Sequence, residues 1–369
     1  MFITSHGVIC SNGSSLDEVL ESLKKGGVNP TFKDNQFFIP QNYLEVSLQD
    51  KINCLSSTIL KRVDPTYLPG IYAAEKCLKN IDLKSIAVIH VNNTTVRNFY
   101  ESTLENKKLS SFNMVQGDSG FLANLITKTF DLQGLSFSLG AACSSFLSGI
   151  QIAKGLLENF DGVLIVSSDM YTFPFLLEAF KRVKIISPTG ETKPFSKDRN
   201  GFVVGEAGVS ILLTKERIFK DSPEVLSFSS LSDNFHFTDP DPEGKGHDKV
   251  IKENLSKSVG LYCSHGTGTV KGDIVELNSI NKLLDNNIPM VALKSYFGHT
   301  MASCGGLELL TSIALLEEGI SLPVRTNYDT LTSRLIQKSI PKDKDVLLKT
   351  SFGFGGRCNA MAVKVIRRN

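Results

Sequence analysis

SFSLGAACSSFLSGIQIAKGLLEN, Ser136–Asn159, runs from a short apolar strand through a cysteine and into a long helix. VALKSYFGHTMASCGGLELLTSIALLEEG, Val291–Gly319, has the same plan with a histidine at the turn. Each helix opens on small residues: Ala141, Ala142, Ser144 and Ser145 in the first, and Ala302, Ser303, Gly305 and Gly306 in the second. Small residues let two helices approach closely and bury one another. Any buried α/β crossover carries some of this pattern. The sharper reading is a duplicated fold whose halves face each other across one reactive centre.

Outward from these stretches, short apolar runs alternate with amphipathic helices, the pattern of an α/β fold. Strands are expected over Ile86–His90, Leu135–Leu139, Gly162–Ser167, Val209–Leu213, Met290–Leu293 and Ala360–Ile366. Helices are expected over Ser15–Lys25, capped by its serine, over Pro69–Asn80 and over Ser145–Asn159. The polar, proline-bearing segments Ser187–Asn200 and Ser232–Lys249 read as loops. A single core stops growing at roughly 250–300 residues, so 369 residues imply two domains or two similar halves.

With 41% hydrophobic and 21% charged residues, including 23 Phe, the chain can bury a large core and is not a disordered one. Forty Lys+Arg against 38 Asp+Glu leave a net charge of +2, too little for a protein built mainly to bind nucleic acid or an acidic membrane. Seven cysteines, an odd number without a CxxC pair, favour a reducing compartment. MFITSHGVIC lacks a basic leader and reads as a first strand, and no apolar run reaches the ~18 residues of a membrane span. A cytoplasmic protein without a membrane span is the expectation.

Cys143, between strand and helix, meets unpaired N–H groups and the positive end of the helix dipole, which favour a thiolate nucleophile; an inert buried cysteine is the plain alternative. His265 lies in SHGTGTVKGDIVE with Thr267 and Thr269, and Glu276 follows it. His299 lies in LKSYFGHTMASCGG behind Lys294. Two histidines in glycine-containing loops behind apolar strands suit hydrogen-bond donation to an oxyanion; His6, His90, His236 and His247 lack that setting. SFGFGG, Ser351–Gly356, is too near the last expected strand to open a nucleotide-binding helix, and so reads as a turn with Phe352 and Phe354 as apolar walls. No residue set has the spacing of a metal site.

Together these motifs resemble the β-ketoacyl synthases, condensing enzymes of the thiolase-like fold. AACSS (Ala141–Ser145), HGTGTxxGDxxE (His265–Glu276), KSxxGHT (Lys294–Thr300) and SFGFGG occur in the family's order. ITSHGVICSNG, KPFSKDRNGFVVGEAG (Lys193–Gly208) and DNFHFTDPDPEG (Asp233–Gly244) extend the match over nearly the whole chain. The resemblance implies a five-layer αβαβα architecture of two pseudo-equivalent halves, 1–215 carrying the cysteine and 216–369 carrying the two histidines. It implies that Cys143 accepts an acyl group and that His265 and His299 hold a malonyl thioester while CO2 leaves. Lys294 and Glu276 match an ion pair that orients the histidines. The backbone N–H groups of Cys143 and Phe354 match an oxyanion hole, with Phe354 a gating aromatic, and Thr267 and Thr269 match contacts to phosphopantetheine. The implied reaction gives a 3-oxoacyl-carrier protein in fatty-acid or specialised polyketide or polyene synthesis. It needs no bound cofactor or metal, because acyl carrier protein brings the substrates.

The chain is short for the family, its Phe99–Gly120 stretch matches poorly, and Arg357 and Cys358 stand where the family usually has one residue. A non-catalytic partner like a chain-length factor is the alternative reading, although such partners replace the nucleophile. A thiolase would pair its nucleophile with one histidine and a second cysteine. Acyl carrier protein is the implied partner, with Lys61–Arg62, Lys107–Lys108 and Lys181–Arg182–Lys184 as candidate docking patches, in a homodimer or a heterodimer with a related subunit.

Overall fold

Alternate residues of single strands belong to different cores. Ala87, Ile89 and Val91 point into one, while Ile86 and Val88 point into another. A strand buried on both faces must lie between two helix layers. The computed structural model describes residues 1–33, 36–38, 48–92, 99–100, 104, 111–170, 174–325 and 329–368.

Its strands are β1 (Phe2–Cys10), β2 (Thr31–Lys33), β3 (Gln36–Phe38), β4 (Ile86–Val91), β5 (Ser136–Leu139), β6 (Gly162–Asp169), β7 (Ala207–Thr214), β8 (Glu224–Ser232), β9 (Val259–Cys263), β10 (Met290–Val291), β11 (Val346–Gly353) and β12 (Arg357–Lys364). Apart from the β2–β3 hairpin they form one array ordered β10-β9-β11-β12-β8-β1-β7-β6-β4-β5. The array is two copies of one plan. β1 runs antiparallel to β7, β7 antiparallel to β6, and β6, β4 and β5 are parallel. β8, β12, β11, β9 and β10 repeat that order and sense. The two five-stranded sheets meet at one pair, Phe2 opposite Glu224.

The central layer lies between the sheets. Helices Leu16–Lys24, Ser145–Leu156 and Cys304–Glu318 pack there against Val8, Ile165 and Ile211 from one sheet and Leu261, Leu347 and Val363 from the other. Outside the first sheet, helices Leu68–Leu78 and Phe121–Thr129 cover Ile86, Leu164 and Leu212. Outside the second, helices Lys245–Glu253 and Val270–Leu283 cover Val259, Tyr262 and Leu348. This is the five-layer αβαβα arrangement. Among the described residues no helix is long and apolar enough to cross a membrane.

The expected strands and helices are present with shifted ends, and Ser15 caps its helix by accepting the Glu18 N–H. Five strands escaped the sequence reading: the short β2 and β3, and β8, β9 and β11. β8 is only half-buried and carries serines on its open face. β9 is five residues long, and a lysine interrupts the apolar run of β11. The segment Ser232–Lys249 is not wholly loop, because a helix starts at Lys245 and buries His247, Val250 and Ile251.

The small residues of the two central helices make the contact that the sequence suggested. A Cβ on Gly306 would lie 2.6 Å from the Phe146 ring, and one on Gly305 would lie 2.8 Å from Leu147. Gly306→Ala is expected to cost about 1–3 kcal/mol by overpacking, seen as a lower thermal midpoint. Adding Phe146→Leu should recover part of the loss; an unchanged midpoint in Gly306→Ala would contradict this packing.

Candidate active site

The two loops that leave β5 and β10 have the same backbone signature. Ala142, three residues before the helix beginning at Ser145, has φ 48°, and Met301, three residues before the helix beginning at Cys304, also has φ 48°. A left-handed non-glycine residue is strained and persists only where neighbours brace it. Around Ala142 the serines of AACSS do the bracing. Ser145 Oγ accepts the Ala141 N–H at 2.8 Å and donates to the Ala142 carbonyl at 2.6 Å, while Ser144 Oγ donates to the Ala141 carbonyl at 2.8 Å. The Cys143 carbonyl takes hydrogen bonds from Ser351 Oγ and Cys304 Sγ, and Asn359 donates to the Ser144 carbonyl and to Ser148 Oγ. The C-terminal half thus clamps the cysteine of the N-terminal half.

His299 reaches the cysteine from the opposite loop, with Nε2 3.1 Å from Cys143 Sγ. Its backbone is pinned by an N–H donated to Val203 and a carbonyl accepting from Gly205. A Cβ on Gly205 would lie 2.0 Å from the Phe297 carbonyl, so only glycine fits there. The Met301 N–H donates to His299 Nδ1 at 3.1 Å. That donor makes Nδ1 the acceptor and puts the ring proton on Nε2, aimed at the sulfur. His265 stands with its ring 5.9 Å from that of His299. Lys294 Nζ lies 3.4 Å from its Nδ1 and donates to its carbonyl at 2.6 Å. An ammonium has no lone pair, so here too Nδ1 accepts and Nε2 carries the proton. Both rings therefore present an N–H donor to one point beside the cysteine.

Burial and the Lys294 charge together push both imidazoles well below their ordinary range, so they stay neutral. Burial also pushes the Cys143 thiol up to about 11, against the pull of Lys294. The cysteine is therefore a thiol at rest and not the thiolate that its place before the helix led one to expect.

The expected ion pair is different from the one found. Glu276 does not pair with Lys294: its two oxygens accept the N–H groups of His265 and Gly266 at 2.8 and 2.9 Å, and Tyr262 and Thr350 donate hydroxyls to it. With its acceptor sites filled by the loop it holds, Glu276 fixes backbone rather than charge. Asp273, one turn earlier on the same helix, receives the N–H groups of Thr267 and Gly268 and of Phe195. Lys294 pairs instead with Glu308 at 2.5 Å, and Glu308 pairs also with Lys349 at 2.6 Å, all three at most 2% exposed. The sequence reading missed Glu308 and Lys349. Their signal was present, a lone charge in LELLTSIALL and another in VLLKTSF, since a buried charge needs a partner.

Cys143, His265 and His299 open on a cavity of about 630 Å³. Leu176, Phe180, Phe202 and Met301 form an apolar wall, and Thr267, Thr269 and Phe354 also line it. The Thr267 and Thr269 hydroxyls are 2.9 Å apart. Phe354 is half-exposed at the tip of the β11–β12 hairpin. Gly353 pairs with Arg357 and Phe352 with Cys358 in unbroken register, so the additional residue leaves the turn regular. The Asp233 N–H donates to the Gly356 carbonyl and the Gly355 N–H to that of Phe237, tying the turn to the loop after β8. His247, set aside in the sequence, also lines the cavity, its ring 3.6 Å from that of Phe352. Lys181 and Arg182 end the helix Pro174–Arg182 beside this cavity, and Lys184 lines it. Lys61 and Arg62 are exposed. Lys107, Lys108 and much of Phe99–Gly120 lie outside the described residues. No group of three potential metal ligands occurs among the described residues, and all seven cysteines are free.

Comparison with known proteins agrees with this fold. Residues 2–217 match the family model for the β-ketoacyl synthase N-terminal domain, and residues 224–328 that for the C-terminal domain. A 3-oxoacyl-[acyl-carrier-protein] synthase 2 of Coxiella burnetii is 23% identical over 96% of this chain and 95% of its own length. One of the same description from Mycobacterium leprae is 34% identical over half of each chain. Among solved structures, a β-ketoacyl synthase from Burkholderia phymatum superposes with a TM-score of 0.83 at 19% identity over 99% of both chains. A ketosynthase in complex with its chain length factor from Xenorhabdus doucetiae gives 0.82 at 21% identity, covering 99% of this chain and 97% of that one.

Two neutral histidines have a measurable consequence. In the unfolded chain each imidazole titrates near 6.5; in the fold each refuses the proton, so the unfolded state binds more protons on acidification. Stability should therefore fall as the pH drops below about 6.5, and His265→Gln with His299→Gln should flatten that slope. A slope indifferent to both substitutions would contradict the neutral-ring assignment.

Proposed function

This chain belongs to the β-ketoacyl synthase family, and from that premise we propose that it catalyses decarboxylative condensation of a Cys143-bound acyl group with malonyl-acyl carrier protein. The observation that carries the proposal is the 3.1 Å contact of His299 Nε2 with Cys143 Sγ, with His265 beside it and each Nδ1 held as an acceptor.

The sequence of steps is ping-pong covalent catalysis. Cys143 Sγ attacks the carbonyl carbon of an acyl thioester; the carrier's sulfur leaves and takes the thiol proton. The backbone N–H groups of Cys143 and Phe354 hold the oxyanion. Malonyl thioester then enters along Thr267 and Thr269, and Phe354 gates its entry. Its bond to the carboxylate breaks, CO2 leaves, and the electron pair forms an enolate whose oxygen lies between the two Nε2–H donors. The enolate carbon attacks the Cys143 thioester, giving the 3-oxoacyl product and releasing the sulfur, which takes its proton from solvent. One well-placed oxyanion donor is worth about 3–4 kcal/mol of barrier. Lys294 orients His265 from behind, and Glu276 fixes the loop that carries it. No cofactor or metal is used. The N-terminal half, 1–215, supplies the nucleophile, and 216–369 supplies the two donors.

The proposed partners are an acyl carrier protein, docking by its acidic surface at Lys181, Arg182 and Lys184 on the cavity rim, and a second ketosynthase-like subunit, identical or related. A cytoplasmic location fits the free thiols. Intact-protein mass spectrometry with a panel of acyl-carrier thioesters should show an acyl increment that vanishes in Cys143→Ala. His265→Ala should keep the increment and lose about 10²–10³ in malonyl decarboxylation. No increment with any donor would favour a non-catalytic partner of another ketosynthase. Reversing charge at Lys181 and Arg182 should raise KM for the carrier-bound acyl group while sparing a small thioester; equal effects on both would remove the docking site.

A further inference from the structure

Glu308 is a single carboxylate between two ammonium groups, and the proposed chemistry uses only one of them. Lys349 Nζ lies 2.6 Å from Glu308 Oε2 and 3.3 Å from the Ser264 carbonyl, fully buried on β11. Lys294 Nζ lies 2.5 Å from Oε1 of the same carboxylate. A lone buried ammonium–carboxylate pair can become neutral by passing its proton across. Here two ammonium groups share one carboxylate, one on each oxygen, so the trio has one more basic group than acidic. Glu276, Asp273 and Asp169, also buried at this depth, take N–H and hydroxyl donors, and none of them forms an ion pair with either lysine. The surplus charge therefore sits behind His265.

We propose that Lys349 is a positioning residue: by occupying one oxygen of Glu308 it keeps Lys294 charged against His265 Nδ1, and so keeps the His265 N–H on Nε2, towards the cavity. This rests on the proposed condensation for its effect on rate, but not for its effect on the ring. The groups facing the cluster come from every neighbouring element. They are His265 and Cys263, Cys304 on the Glu308 helix, Cys143 from the N-terminal half, and His299, with Glu276, Tyr262, Asp169 and His247 one contact further out. None of these carries a second fixed positive charge, so no other group replaces Lys349. Its charge, like that of Lys294, opposes protonation of both His265 and His299.

The test is Lys349→Met in the full chain, which leaves a balanced Lys294–Glu308 pair and an apolar side chain of similar length. Nitrogen NMR of histidine-labelled protein reads the tautomer and titration of His265 directly, with His265→Gln supplying the assignment. In the parent, His265 should show only the Nε2–H form and no titration near neutral pH. In Lys349→Met it should show mixed tautomers or a titration displaced upward by about one pH unit, the effect of losing one nearby charge. The acidic limb of malonyl-thioester decarboxylation should move up with it, with kcat lowered about tenfold and KM nearly unchanged. Lys349→Arg should restore the parent's behaviour. An NMR titration and pH–rate profile matching the parent's, or a uniform loss at all pH without displacement of the limb, would overturn the proposal. A parent His265 protonated on Nδ1 would overturn it even if the methionine variant failed to fold. A parent that turns over no malonyl thioester would count against the proposed reaction alone, leaving the NMR result to decide this assignment.

Discussion

Glycine facing phenylalanine at the middle of the molecule is the constraint on which the rest depends. The helices that begin at Ser145 and Cys304 can touch because Gly305 and Gly306 offer no side chain to Phe146 and Leu147. Each helix is fed by a parallel strand of its own half, β5 in one and β10 in the other. Bringing the helix starts together therefore brings the strand-to-helix turns together, and with them Cys143 and His299. A side chain at either glycine would separate the turns and open the 3.1 Å contact. The geometry of the candidate site is thus a consequence of how closely two helices pack, not of a local loop structure.

The second layer of the arrangement is electrostatic, and it decides what the imidazoles can do. A neutral histidine can accept or donate at Nε2, depending on which nitrogen holds the proton. Here the choice is made behind each ring, by the Met301 N–H for His299 and by the Lys294 ammonium for His265. Both choices give a donor. The same burial that keeps the rings neutral also raises the thiol, so the resting site holds no free charge at the sulfur. The fixed charges lie one step deeper, among Lys294, Glu308 and Lys349.

How much of this was legible depended on whether a residue acts through its neighbours in sequence or in space. The α/β alternation, the helix capped by Ser15 and the close approach of the two small-residue helices could be read because each is set by local pattern or by small residues in a repeated frame. Cys143, His265 and His299 stood out for the same reason. The partner of Lys294 did not. Glu276 is close to His265 in the chain and carries the right charge, yet the fold spends it on backbone N–H groups. Glu308, on the far side of the histidine turn, takes the ammonium because its helix runs through the central layer beneath the site. His247 was passed over because its helix lies in a segment rich in turn residues, and only the sheet beneath shows that this helix buries one face.

These features bear together on why a decarboxylation, rather than a proton abstraction, suits such a site. Removing a proton beside a thioester carbonyl needs a strong base close to the substrate, and the rings here point N–H groups towards it instead. Losing CO2 needs no base; it needs the developing enolate oxygen to be stabilised more than the starting carboxylate. Neutral N–H donors satisfy that condition. A positively charged imidazole would hold the carboxylate as well as the enolate and so lose the difference, whereas a neutral one aimed at the carbonyl oxygen gains strength as negative charge moves there. Keeping the positive charges behind the rings allows them to polarise both donors without offering the carboxylate a cation to rest on.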